Sequence, residues 1–136
     1  MKRTLLLTLS IAILIIGCRE DENPYLEYEE ERLAQLATEK YEAIRTLAQA
    51  RACTDSSEWK MVELNSVCGM LHVAYHQSTD EKRLQKLVKD YNLLMEVYMP
   101  YIAPRIDCTP YREPVGIVCE EGRPVVQYPE IQWGID

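Results

Sequence analysis

The chain has 136 residues, 47% of them hydrophobic and 27% charged, which is enough apolar material for one modest core. Its 22 acidic residues outnumber 15 basic ones, for a net charge of −7. That excess would be repelled by phosphate backbones and no basic patch in the sequence offsets it, so nucleic acid is not an expected partner.

Residues 1–17 read as a secretory signal peptide. Lys2 and Arg3 precede an uncharged, largely apolar run from Thr4 to Gly17, with a small residue at its exit. The run is shorter than the roughly 20 apolar residues of a membrane span. Its end, Ile15-Ile16-Gly17-Cys18, resembles the bacterial lipobox, in which the cysteine is acylated and becomes the first residue of the mature chain. Cysteine parity agrees. Of five cysteines, assigning Cys18 to lipid leaves Cys53, Cys68, Cys108 and Cys119, an even set suited to an oxidising compartment. Losing Lys2 and Arg3 takes the net charge from −7 to −9, so attachment falls to the acyl chains and not to electrostatic docking on lipid. The expected location is the bacterial outer membrane, facing the periplasm or the cell surface.

Residues 18–25 read as a lipidated acidic tether. Arg19-Glu20-Asp21-Glu22-Asn23-Pro24 is charged and carries a helix-discouraging proline. A basic residue followed by acids just past the cysteine is similar to the export tags of surface lipoproteins in Bacteroidetes-type bacteria. Self-repulsion that keeps a linker extended is the plainer account.

Residues 26–136 are expected to form a single disulfide-stabilised domain of α+β class, mainly helical. A long helix is predicted from about Leu26 to Ala52, with Leu26, Leu33, Leu36, Ala37, Ile44, Leu47 and Ala48 on one stripe. Thr54 to Gln77 fits neither period and is expected as short helical or extended pieces on either side of a turn at Cys68-Gly69. Ser78-Thr79-Asp80-Glu81 fits a capping box opening a second amphipathic helix. That helix carries Leu84, Leu87, Val88, Tyr91, Leu94, Met95 and Tyr98, and Pro100 is expected to stop it. From Pro100 onward come six prolines and two β-branched stretches, Val115 to Cys119 and Pro124 to Tyr128, read as a hairpin around Glu121-Gly122.

The flanks of the four cysteines carry a second resemblance. Cys53-Thr54-Asp55-Ser56-Ser57-Glu58-Trp59, Val67-Cys68-Gly69, Asp107-Cys108 and Val118-Cys119-Glu120-Glu121-Gly122-Arg123-Pro124 are similar to a group of small exported four-cysteine proteins. The chain departs from that group at Met70 and Leu71, where a glycine pair and a proline are expected. The resemblance implies a four-cysteine domain and brings no activity with it. Four cysteines allow three pairings. Cys53–Cys68 and Cys108–Cys119 are the expected ones, because both are close in sequence and bracket turn-rich segments.

Catalytic signals are thin. Cys68, His72 and His76 would share a face if helical and could then ligate zinc or copper, but oxidation of Cys68 would remove that option. There is no Gly-x-Ser-x-Gly elbow, and the serines at 56, 57, 66 and 78 have only two histidines as candidate bases. No cofactor and no metal are expected. Trp59, Tyr75, Tyr101, Tyr111, Tyr128 and Trp133 lie outside the strongest periodic segments, and of these Trp59, Tyr111 and Trp133 are the candidate binding residues. The functional expectation is a non-enzymatic binding or interaction role at the envelope, with a protein or glycan partner. An inhibitor of a host or competitor enzyme, or a small metal-binding or hydrolytic enzyme, is the alternative.

Overall fold

The computed structural model of the chain describes residues 22–130; the expected signal peptide, Cys18 and Trp133 lie outside the described residues. The described body is α+β: α1 (Glu30–Ala48), β1 (Trp59–Ser66), β2 (Gly69–His76), α2 (Glu81–Ile102), β3 (Gly116–Glu120) and β4 (Arg123–Gln127). The strands form two separate antiparallel hairpins, β1–β2 and β3–β4. Among the described residues no helix is long and apolar enough to cross a membrane.

The β1–β2 hairpin is the middle of three layers. Leu64, Val62, Val73 and Tyr75 turn to one face and pack on Leu33, Ile44, Leu84, Val88, Tyr91 and Leu94 of the helix pair. Trp59 and Ala74 turn to the other face, where Cys53 joins them and Ile117, Cys119 and Val126 of the second hairpin cover them. Both faces are therefore covered, and for that reason the segment lacks the clean alternation of a half-solvated strand.

Both helices differ from their sequence expectation at the ends. α1 begins at Glu30, not Leu26, because Asn23 Oδ1 accepts the Tyr25 N–H at 3.0 Å and holds a turn before the helix. That turn drives Tyr25 into the core, where its hydroxyl donates to Asp90 Oδ1 at 2.5 Å. Asn23 Nδ2 donates to the Leu93 carbonyl at 2.7 Å, so the body takes in the last residues of the expected tether. At the other end α1 stops at Ala48 instead of Ala52, since the chain must turn to bring Cys53 N–H to the Gly122 carbonyl at 2.8 Å.

α2 is capped by Asp80, whose carboxylate accepts the Arg83 N–H at 3.0 Å; the expected cap, Ser78, is engaged elsewhere. The helix also runs through Pro100 to Ile102. In the last turn the proline forfeits only one backbone bond, and the Arg105 guanidinium donates from Nε and Nη2 to the Tyr101 carbonyl.

The disulfide pairing expected from sequence proximity is wrong. Cys53 bonds Cys119 and Cys68 bonds Cys108, each pair with Cα atoms 5.3 Å apart. The reason is the length of the first hairpin. Cys53 lies at its open end and Cys68 at its tip, so eight strand residues, about 26 Å at the usual rise, separate them. The Cys68–Cys108 bond ties the tip to the chain leaving α2, and Cys53–Cys119 pins the second hairpin at the opposite end.

That second hairpin forms where the sequence placed it. Glu121 and Gly122 both have positive φ, 49° and 76°, the geometry of a two-residue turn that matches strand twist. Pro124 pairs with Cys119, one step in from the closing pair Glu120 and Arg123. This is a non-hydrogen-bonded position, where a missing N–H costs no ladder bond.

Candidate functional site

Strand alternation builds the site. On the face of the first hairpin turned away from the helices, Glu63 stands directly across from His72 and Trp59 across from His76. In the second hairpin, Pro124 and Val126 face inward, and the same parity carries Tyr128 inward just beyond β4. Tyr128 Oη therefore lies 3.3 Å from His72 Nδ1. On the other ring nitrogen, His72 Nε2 is 3.5 Å from Glu63 Oε1. The two ring nitrogens of His72 thus face a tyrosine hydroxyl on one side and a carboxylate on the other.

Tyr111 completes the surround. Its ring stacks on His72 with centroids 6.3 Å apart and planes 29° from parallel, while Tyr128 meets the imidazole edge at 6.1 Å and 61°. Gly69 permits this approach: a Cβ built there would lie 2.9 Å from Tyr111 Cδ2. Proximity of the Tyr111 segment also follows from the Cys68–Cys108 bond three residues upstream. Partial removal from water, with help from the Glu113 and Glu63 carboxylates and Tyr128, pushes the Tyr111 hydroxyl above its ordinary pKa, so it stays a neutral donor.

The result is an open concavity of about 370 Å³ lined by Met61, Glu63, His72, Tyr111, Glu113 and Pro114. Its floor is the His72 side chain, 3% exposed. Exposed apolar and aromatic side chains stand beside its carboxylates: Met61 is 37% and Tyr111 46% accessible, and Tyr128, whose hydroxyl reaches His72, is 38% accessible. Among the described residues no serine, cysteine or lysine lines it.

The second histidine lies at the far end of β2. His76 Nδ1 accepts the Ser78 N–H at 3.1 Å and sits 2.7 Å from Ser78 Oγ, while Nε2 is 3.4 Å from Glu58 Oε2. Serine, histidine and glutamate thus follow one another as in a hydrolase. The base, however, is already committed to a backbone amide two residues on. The arrangement locks the turn into α2.

Of the residues singled out from sequence, Tyr111 lines the concavity. Trp59 does not: it is buried at 6% exposure, edge-on to His76 at 5.4 Å, filling the second core. The helical face proposed for Cys68, His72 and His76 does not exist, because residues 69–76 are a strand and Cys68 is oxidised. Four residues along a strand separate the histidines by about 13 Å, too far to share an ion. His72, Glu63 and Met61 were missed as a group. The sequence held no clean signal for them: Val73-Ala74-Tyr75 breaks the alternation that would have set His72 on a strand face, because both faces of the hairpin are packed. No family model, curated protein or solved structure matches the chain.

Proposed function

We propose that the chain is a lipid-anchored binding protein of the bacterial envelope, held by acylated Cys18 at the outer membrane and carrying a protein partner on the surface around His72. The observation that supports this is the meeting of Met61, Tyr111 and Tyr128, all exposed, around His72 beside the carboxylates of Glu63 and Glu113. Exposed tyrosines and methionine around a concave centre are the usual composition of a protein-recognition patch. Among the described residues Glu113 makes no ion pair, and Glu63 pairs only with His72. A partner bringing an arginine or lysine into the concavity would satisfy both acids and lie against the tyrosine faces.

A titration followed by NMR tests the site. A short peptide with a central arginine should shift the His72 and Tyr111 resonances, and the glutamate version should leave them in place. Equal responses to both peptides, or none to either, would remove the cationic partner. A response to a neutral oligosaccharide alone would reassign the surface to glycan. The anchor is tested separately: a fatty-acid analogue should label the wild-type chain and not Cys18→Ser. If the acids at 20–22 act as an export tag, replacing Glu20, Asp21 and Glu22 with alanine should protect the protein from protease shaving of whole cells.

A further inference from the structure

Charge on this acidic protein is unevenly spread. The buried stripe of α2 is Leu84, Val88, Tyr91, Leu94 and Met95. At 3.6 residues per turn, Lys82, Lys86, Lys89 and Leu93 fall on the opposite side of the helix, and the three lysines are exposed. Arg83 flanks them, and among the described residues none of these four cations makes an ion pair. A shallow depression of about 630 Å³ runs beside Arg83, Lys86 and Lys89, with Leu87, Leu93 and the carboxylate of Asp90, already paired with Lys40, in its lining.

The N-terminal end of the body is fastened to this same helix. Asn23 holds the Leu93 carbonyl and Tyr25 holds Asp90. From Asn23 back to Cys18 is five residues, at most about 17 Å of extended chain. A lipid at Cys18 would therefore keep α2 at Leu93 within that distance of the bilayer, with Lys89 one turn and Lys82 about 16 Å further along the helix, and with the His72 surface on the far side of the middle layer.

We infer that the Lys82–Lys86–Lys89 face of α2 docks on anionic lipid headgroups and orients the body with the His72 surface turned away from the membrane. The inference rests on the acylation of Cys18 proposed above. Net charge alone argues against lipid docking, and a free body would be repelled. The tether changes the balance by holding this one basic face at high local concentration beside the headgroups, where lysines within a Debye length are attracted.

The test uses the full lipidated chain in vesicles of phosphatidylcholine, with or without phosphatidylglycerol, and reads lysine acetylation rates by mass spectrometry. On anionic vesicles, Lys82, Lys86 and Lys89 should react about threefold or more slowly than on neutral ones, and high salt should restore their rates. Lys60, exposed on β1, should react alike on both. Equal rates at the three lysines overturn the docking while leaving the anchor in place. Slow reaction on both vesicle types means that the chain's own acidic residues cover the helix, and this also overturns it. A chain that associates with neither vesicle lacks the anchor, and both readings fall.

Discussion

Gly69→Ala separates backbone strain from ligand-site geometry in one substitution. Gly69 has φ +113°, a conformation an L side chain adopts only at a cost of about 1–3 kcal/mol. The added methyl would also sit 2.9 Å from Tyr111 Cδ2, closer than side chains tolerate. Tyr111 is 46% exposed, so its ring can yield. The strain should therefore register in stability, and the contact in the site. In thermal unfolding the variant should lose about 1–3 kcal/mol, roughly 4–12 °C for a domain of this size. NMR should show Tyr111 displaced from the His72 ring, with weaker peptide response. In a double-mutant cycle with Tyr111→Ala, the methyl-to-ring part should vanish while the backbone part remains. Stability within about half a kcal/mol of wild type, together with an unchanged Tyr111–His72 contact, would refute the reasoning.

Two further outcomes follow from the packing. Burial alone would raise the Asp90 pKa, but hydrogen bonds from Lys40 at 2.5 Å and from Tyr25 outweigh it and hold the carboxyl below its ordinary value. A group depressed in the folded state contributes stability above its unfolded pKa and loses it as pH falls through the folded one. Asp90→Asn should therefore cost about 0.5–1 kcal/mol at neutral pH, because the pair is part exposed, and should flatten the acid limb of the stability curve. Urea titration at a series of pH values reads both; an unchanged acid limb contradicts the assignment. Removing Cys53 and Cys119 together should cost about 4 kcal/mol by loop closure, and peptide mapping without reduction should recover fragments joining Cys53 to Cys119 and Cys68 to Cys108.

The helices and the second hairpin were legible because each has one solvated face. Leu84, Val88, Tyr91, Leu94 and Met95 are buried as their spacing required, and Glu121-Gly122 is the turn its composition announced. The first hairpin was not legible from Trp59-Lys60-Met61-Val62-Glu63-Leu64, where apolar residues occur on both faces because both are packed. Disulfide pairing depended on that missing hairpin: once residues 59–76 are extended, Cys53 and Cys68 are at opposite ends, and proximity in sequence no longer means proximity in space. Tyr25 was hidden for a different reason. It lies next to Pro24 in a charged stretch and looks like linker, yet Asp90, 65 residues away, supplies the partner that makes its burial affordable. The candidate site was half legible. Tyr111 was visible as an aromatic outside the periodic segments, but His72 and Glu63 meet only through strand register.

The central claim, that the surface around His72 carries a partner in the envelope, is tested most directly by photo-crosslinking in living cells. A photoreactive residue placed at Tyr111 or at Met61 should yield the same discrete adduct, and one placed at the exposed Gln35 of α1 should yield none. No adduct at either site position, or an identical adduct at all three, would contradict the account.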